Sequence, residues 1–138
     1  MTWKENLIKY RRERAAGTLE DARTMFERKR WLSTVNRIYY ALFYEVIALL
    51  QTRDLSAHKH TGVRALFNQH FIKTGIVNVD IGKFFNKMFD FRQKGDYQDF
   101  IYFEEEDVND WMEKAEKYIN ELEKHFDKEM AEPGQPAG

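Results

Sequence analysis

The sequence predicts an all-α protein, an antiparallel bundle of four or five helices. Only two prolines occur among the 138 residues, and both, Pro133 and Pro136, lie in the C-terminal tail. Apolar residues recur at three- and four-residue steps over long segments, whereas no segment alternates like a strand. With 43% hydrophobic and 15% aromatic residues the chain can fill one core. We therefore expect one helical-bundle domain over residues 1–130 and a disordered tail over residues 131–138.

The first two predicted helices form the N-terminal half of the bundle. The first runs from Trp3 to Arg30 and carries charged residues between its apolar positions, which is typical of a half-buried helix. Gly17 is expected to bend this helix without ending it. The next segment, WLSTVNRIYYALFYEVIALLQ, is apolar around most of its circumference. It therefore predicts a central helix with neighbours on two sides.

Further helices are predicted in the C-terminal half. Apolar periodicity resumes after the segment RDLSAHKH and stops near Gly75, a residue type that commonly follows a helix end. Asp80 is expected to cap the next helix, which ends at Arg92 with Gly95 breaking the chain. The acidic residues 104–107 favour the N-terminus of a last helix through the helix dipole.

Composition removes several classes of function. Cysteine is absent, so disulfides, a thiolate nucleophile and a thiolate metal site are excluded. No apolar run approaches the roughly 18 residues that a membrane helix requires. The N-terminal stretch MTWKENLIKYRRER lacks the apolar core of a secretory signal. We therefore expect a soluble, cytoplasmic protein with no membrane contact.

The formal net charge of −1 conceals an uneven distribution. Residues 1–60 carry 12 Lys and Arg against 7 Asp and Glu, whereas residues 61–138 carry 10 against 16. The chain can therefore have a basic face without being a basic protein. Contact with phosphate is expected to be local rather than indiscriminate.

No metal or other cofactor is predicted. A di-iron bundle needs Glu-x-x-His pairs on facing helices, and the sequence has none. His58 and His60 have the spacing of a ligand pair, but the sequence offers no nearby third ligand, so we interpret them as a solvated helix start. Ser-His-Asp arrangements, GxGxxG and Walker-type glycine loops are also missing.

One polar set lies in the middle of the predicted central helix, where Asn36 and Arg37 stand beside Tyr40. An arginine is costly to bury unless it is paired or hydrogen-bonded. Arg37 can face a groove and bind phosphate. The structural alternative places it on the rim of the bundle or pairs it with a carboxylate such as Asp96 or Glu45, and the sequence leaves both open.

A second polar set, Arg92 with Asp96 and Tyr97, lies in the stretch DFRQKGDYQDF. The planar guanidinium of arginine donates two parallel hydrogen bonds to phosphate, and at a helix end it reaches outward. Alternatively, Arg92 is a helix C-terminal cation that the dipole favours, while Asp96 accepts hydrogen bonds from the loop. The residues alone support these two interpretations about equally.

Several landmarks resemble the HEPN domain (higher eukaryotes and prokaryotes nucleotide-binding), in its branch of small stand-alone prokaryotic proteins. The matching motifs are NRIYYALFY, KHTGV, FIKTG and FRQKGDY, and the similarity extends over about residues 4–126. The resemblance implies an α-helical bundle that often forms a homodimer. It also implies a minimal nucleotidyltransferase encoded nearby, in what is often a toxin–antitoxin pair.

Active members of this family are metal-independent endoribonucleases, as the resemblance implies, whose motif is an Arg followed after four to six residues by a His. Arg92 occupies the position of that Arg, whereas Tyr97, Gln98 and Asp99 occupy the positions allowed for the His. A tyrosine, with an ordinary pKa of about 10, is a poor base at neutral pH. The departure favours binding over cleavage.

The leading hypothesis is a protein that binds a nucleotide or an RNA phosphate, or a nucleotidyltransferase partner, through one groove. Arg37 and Arg92 would bind phosphate, Tyr40 and Tyr97 would stack or donate hydrogen bonds, and Asp96 would orient an arginine. The full candidate set is Asn36, Arg37, Tyr40, Lys59, His60, Arg92, Asp96 and Tyr97.

Two alternatives stay open. In the first, the protein is an endoribonuclease toxin in which His60, beside Lys59, replaces the missing histidine and acts with Arg92. In the second, the protein is a purely structural bundle, and the same side chains form an internal salt-bridge network.

Overall fold

The computed structural model describes residues 1–97 and 102–131, with the side chains of 95–97 left out. The chain folds into five α-helices, with a π-helical turn between the third and the fourth, and no strand occurs within the described ranges. This confirms the predicted all-α bundle. The helices are α1 (Trp3–Glu27), α2 (Trp31–Gln51), α3 (His60–Phe67), α4 (Val79–Tyr97) and α5 (Glu105–Ala131), and the π turn covers Asn68–Ile72.

Helix α2 is the central element of the bundle. It packs along α1, and it also contacts α3, α4 and α5. Its bounds match the predicted core helix, and it has buried residues on several sides because a central helix must satisfy neighbours on more than one face. The largest fully buried side chains nearby are aromatic: Tyr39, Phe67, Phe71, Phe85, Phe89 and Phe126.

Helix α1 ends at Glu27, three residues earlier than predicted. Lys29 adopts a left-handed conformation with φ of 59°. Its amide donates to the Phe26 carbonyl at 2.9 Å, while the amide of Arg30 donates to the Met25 carbonyl at 2.9 Å. This is a Schellman ending, in which a lysine takes the position that glycine usually occupies. No glycine therefore marks this helix end in the sequence.

Two predicted features of α4 are wrong. Asn78, not Asp80, caps the helix, because the Asn78 side-chain carbonyl accepts the Asp80 amide at 2.8 Å. The helix also continues through Gly95 to Tyr97 instead of breaking there. A glycine inside a helix costs only about 1 kcal/mol relative to alanine, which flanking residues can offset.

The last helix begins at Glu105, within the acidic stretch that was predicted to start it, and it runs to Ala131. It therefore extends one residue past the predicted domain end at 130. The remainder of the predicted tail, residues 132–138, lies outside the described residues. Within those described, no helix combines the length and apolar character needed to cross a bilayer.

A buried ion pair fastens the C-terminal end of α5 to the segment that follows α2. Arg53 donates from Nε and Nη2 to the two carboxylate oxygens of Glu129, each at 3.0 Å. The Arg53 guanidinium also lies 4.6 Å from the centre of the Phe71 ring. Such a two-pronged pair fixes the geometry of both elements, and loss of either partner would leave a buried charge.

Glu45 is a second buried acid, and its setting is different. The residue is 0% exposed, and neither carboxyl oxygen has a hydrogen-bond partner among the described residues. Burial, and to a smaller extent the charge of Glu123 on α5, raise the pKa of Glu45 to about 8, against the opposing charge of Arg12 on α1. The neutral acid therefore predominates at pH 7.

This buried acid predicts a pH dependence of stability. The folded-state pKa lies above the unfolded value, so the folded state holds more protons and loses stability as pH rises between about 4.5 and 8. In Glu45→Gln we expect this contribution, up to about 1.4 kcal/mol per pH unit, to disappear. Urea denaturation at pH 5, 6.5 and 8 measures it.

Glu113→Gln, which changes an exposed acid on α5, provides the matched control. Its profile should stay parallel to that of the parent chain. If the free energy of unfolding of Glu45→Gln also changes with pH in parallel with that of the parent chain, the pKa of Glu45 is not raised.

Candidate functional site

A cluster of aromatic and basic side chains forms where α2, α3 and α4 meet. Tyr40 lies on α2, His60 begins α3 and Arg92 lies near the end of α4. Arg92 Nε donates to the Tyr40 hydroxyl at 3.2 Å. The rings of Tyr40 and His60 meet edge to face with centroids 6.1 Å apart. The structure thus brings together three of the residues that the sequence selected.

Tyr39, the neighbour of Tyr40, joins this cluster from the core side. It is 0% exposed, and its hydroxyl lies 2.7 Å from His60 Nδ1. The Arg92 guanidinium lies 5.8 Å from the centre of the Tyr39 ring. Burial raises the pKa of Tyr39 well above its usual range, against the opposing charge of Arg92. The phenol therefore stays protonated at every physiological pH.

This contact determines the tautomer of His60. A buried phenol needs an acceptor for its proton, and Nδ1 of His60 is the acceptor that the structure provides. The imidazole proton is therefore assigned to Nε2. Burial lowers the pKa of His60, and the nearby charge of Arg92 lowers it further. At neutral pH His60 is thus an uncharged ring with an Nε2–H donor.

Packing also holds the His60 ring in place. The ring stacks on Phe43 with centroids 4.2 Å apart and an interplanar angle of 8°. Two residues further on, a Cβ added to Gly62 would lie 2.8 Å from Ala57 Cβ. The start of α3 can therefore pack against the preceding segment only because residue 62 has no side chain. The motif KHTGV serves to place His60.

Arg37 is partly buried on α2, beside Tyr40. Its Nη2 and Nε donate to the side-chain oxygen Oδ1 of Asn36 at 2.7 and 3.2 Å. Its guanidinium lies 5.1 Å from the centre of the Tyr40 ring. The predicted pairing with Glu45 is wrong, because neither Glu45 oxygen has a partner among the described residues. The alternative partner, Asp96, has a side chain outside the described set.

A cavity of about 510 Å³ lies beside this cluster, between α1, α2 and α4. We call it the arginine cleft, because Arg37 and Arg92 both line it. Its other lining residues include polar Asp21, Thr24, Ser33 and Asn36 and apolar Met25, Leu32, Val35 and Phe91. Its volume lies within the roughly 300–1,000 Å³ of small-molecule sites. Cations beside an apolar floor suit a ligand with an anionic group and a flat ring.

The remaining candidates are less well placed. Lys59 precedes α3 with an exposed side chain that forms no hydrogen bond or ion pair within the described chain. The side chain of Tyr97, like that of Asp96, lies outside the described set. No three His, Asp or Glu side chains in residues 1–94 and 102–131 gather as a metal site requires.

Sequence reasoning missed Tyr39 as a site residue, because its spacing fits an apolar stripe of α2. The available signal was the doubled tyrosine in NRIYYALFY. Two adjacent tyrosines on a central helix point in different directions, so one can enter the core while the other reaches the surface. Tyr39 contacts His60 from inside, and Tyr40 contacts it from outside.

Comparisons with known proteins give the family. The HEPN domain model matches residues 8–125. A protein of Thermotoga maritima named "UPF0332 protein" is 52% identical over 124 residues, which is 90% of this chain and 94% of the relative. "Putative toxin MJ0142" of Methanocaldococcus jannaschii is 32% identical over 114 residues, 83% of this chain and 78% of the relative.

A second protein of that archaeon, "Putative toxin MJ0605", is 33% identical over 112 residues, 81% of this chain and 83% of the relative. These matches cover the five-helix bundle together with the residues that build the arginine cleft. The resemblance stated from the sequence motifs is therefore confirmed, and the chain belongs to the HEPN domain family.

Proposed function

We propose that this HEPN protein binds single-stranded RNA or a nucleotide through phosphate at the arginine cleft. Arg37 and Arg92 would bind the phosphate, and Asn36 would hold Arg37 in place. The supporting observation is that two arginines line one cavity of nucleotide size together with apolar residues such as Leu32 and Phe91. Arginine forks suit phosphate, and apolar or aromatic surface suits a base.

The chemistry of His60 favours binding over cleavage. A general base near neutral pH needs an unprotonated nitrogen facing the substrate. In His60 the nitrogen without a proton, Nδ1, accepts from Tyr39, and the other nitrogen carries the proton. His60 would therefore donate a hydrogen bond to an anion instead of removing a proton. Tyr97 and Asp96 would complete this site at the end of α4.

The alternative function is the metal-independent endoribonuclease, and one observation favours it. His60 and Arg92 come from different helices, yet both contact Tyr39 and Tyr40. An imidazole and a guanidinium are the pair that such chemistry needs. Cleavage would require His60 to turn or to exchange its tautomer when RNA binds. Lys59, exposed beside it, could then add a charge.

A purely structural role for the cluster of Tyr39, Tyr40, His60 and Arg92 is the third outcome.

The proposal extends to partners. Two relatives carry the name "Putative toxin". We infer that this chain acts in a toxin–antitoxin-type pair with a minimal nucleotidyltransferase, and that it forms a homodimer. The nucleotidyltransferase would dock at the arginine cleft, because the cations Arg37 and Arg92 would attract a complementary anionic surface.

The first prediction concerns the two arginines. Arg92→Ala and Arg37→Ala should each weaken binding of a labelled single-stranded RNA, on the order of 12 nucleotides, by about tenfold or more. Each should also reduce the slope of log affinity against log salt by about 0.7, because one phosphate contact is lost. Fluorescence anisotropy between 50 and 200 mM salt measures both changes.

Arg23→Ala is the matched control. It removes an exposed arginine of α1 that pairs with Glu116 on α5 and does not line the cleft. Circular dichroism melts establish that each variant folds. Equal affinity in all variants would refute the binding role. A loss of melting temperature in Arg92→Ala without any RNA affinity in the parent chain would support the structural role.

A second prediction separates binding from cleavage. Nitrogen NMR of the imidazole should show His60 with its proton on Nε2 at pH 7 and with a pKa below the ordinary value of about 6.5. Tyr39→Phe removes the phenol proton, so a mixture of tautomers should appear. His60→Gln keeps an amide N–H donor and should retain RNA affinity.

The ribonuclease alternative makes the opposite forecast. It expects metal-independent RNA cleavage by the parent chain, loss of that cleavage in His60→Gln, and growth arrest on expression of the chain alone. An Nδ1–H tautomer in the parent chain would contradict the donor role of His60.

A further inference from the structure

Gly17 lies in the middle of α1, and the folded chain gives no reason for it. A Cβ added at this position would meet nothing within 4 Å. The position is exposed and helical, where alanine would be more stable by about 1 kcal/mol. Glycine inside a helix allows another backbone to approach closely. Because no described part of this chain does so, the position suits contact with another molecule.

Large exposed side chains share the face of α1 on which Gly17 lies. Trp3, Tyr10, Arg14, Gly17 and Asp21 follow each other at steps of seven, four, three and four residues, the spacing of one helix face. We call them the outer α1 stripe. Trp3 is 75% exposed and Tyr10 is 55% exposed. Two large aromatic side chains on one exposed helix face offer apolar surface that a partner could cover.

A groove of about 450 Å³ runs beside the stripe. Thr18 lines this groove, is 6% exposed, and its hydroxyl forms no hydrogen bond among the described residues. Tyr10, Arg14, Gly17 and Asp21 of the stripe also line it, so the groove is a recess on the same face of α1.

The charged side chains of the stripe, Arg14 and Asp21, form no ion pair within the described chain. Arg14 donates to the hydroxyls of Tyr10 at 3.2 Å and Tyr44 at 2.8 Å, and its guanidinium lies 4.7 Å from the centre of the Tyr44 ring. Neither partner is a carboxylate. Asp21 is exposed and forms no hydrogen bond or ion pair within the described chain. The stripe thus presents one oriented cation and one anion.

We propose that the outer α1 stripe is a two-fold interface with a second copy of this chain. The two α1 helices would run antiparallel and cross at Gly17, with Arg14 of each copy pairing with Asp21 of the other. This inference rests on the homodimer of the proposed function and names its surface.

The stripe is complementary to itself, and this is the reason for choosing a second copy. Arg14 and Asp21 lie equally far, in opposite directions, from the midpoint between Gly17 and Thr18. Antiparallel packing about that midpoint therefore places opposite charges together twice. Tyr10 and Met25 are also equally far from this midpoint, so an aromatic ring meets an apolar side chain twice. A two-fold interface requires such pairing of each position with its complement.

The register has a consequence for the arginine cleft. Met25 lines the cleft. Tyr10 of the second copy would therefore lie at the mouth of the cleft and add an aromatic wall on which a base can stack. The cleft would be completed only in the dimer, and each dimer would have two such sites.

The test compares adjacent substitutions on α1. Gly17→Gln adds a side chain into open space, so the monomer should melt at an equal or higher temperature, yet the mass in analytical ultracentrifugation should fall from dimer to monomer. Ala16→Gln, at an exposed position outside the stripe, should remain a dimer. A monomeric parent chain, or a dimeric Gly17→Gln, overturns the inference.

Charge exchange tests the register. Arg14→Glu and Asp21→Arg should each weaken association at least tenfold, and the double variant should restore it, because the pairs are re-formed with reversed sign. Failure of the double variant to recover overturns the antiparallel register. Because the chain lacks cysteine, Gly17→Cys should cross-link under mild oxidation while Ala16→Cys does not.

The mass and cross-linking measurements contain no RNA, so their outcomes can be scored separately from RNA binding. A dimer with the predicted responses but without RNA affinity would refute the proposed function and keep the interface. If the parent chain is monomeric and its RNA affinity is lost in Arg92→Ala, the interface is refuted and the proposed function is kept. If both hold, Tyr10→Ala should lower RNA affinity several-fold even at protein concentrations where ultracentrifugation still shows the dimer.

Discussion

The hydroxyl of Tyr39 is the constraint on which the site depends. Tyr39 is fully buried on the central helix, and its ring stacks on Phe85 of α4 with centroids 6.0 Å apart. Its one hydrogen bond within the described chain reaches His60 at the start of α3. A buried phenol that lost this acceptor would be left unsatisfied at a cost of about 1–3 kcal/mol. The core therefore determines where α3 begins and how its first side chain is oriented.

The same bond determines the chemistry available at the surface. Tyr39 keeps its proton, so Nδ1 of His60 is occupied and the exposed nitrogen is a donor. Burial, and then the charge of Arg92, lower the pKa of His60, so proton uptake near neutral pH is disfavoured as well. His60 and Arg92, a neutral and a charged donor, both contact the Tyr39–Tyr40 pair. An anion that accepts from both gains from this arrangement, whereas proton removal from a ribose hydroxyl does not.

Periodicity was sufficient to predict the bundle, because helix type depends on spacing that is local in sequence. The bounds of α2 followed from its apolar circumference. The stop of α1 did not follow, because Lys29 takes a left-handed conformation without glycine. Arg92, Tyr40 and His60 were selected by residue type and family motif, but their contact depends on the packing of three helices. Tyr39 was correctly interpreted as a core residue. For that reason the hydrogen bond of its hydroxyl to His60 was not predicted.

One series of aromatic and basic groups connects the arginine cleft to the outer α1 stripe. Arg14 rests on Tyr44, the Tyr44 and Tyr40 rings lie 6.3 Å apart, and Tyr40 accepts a hydrogen bond from Arg92. A ligand that reorients Arg92 acts on the same ring series that positions Arg14. Linkage is reciprocal, so association through Arg14 would favour ligand binding by the factor with which the ligand favours association. The proposed dimer and the proposed ligand site therefore form one coupled equilibrium.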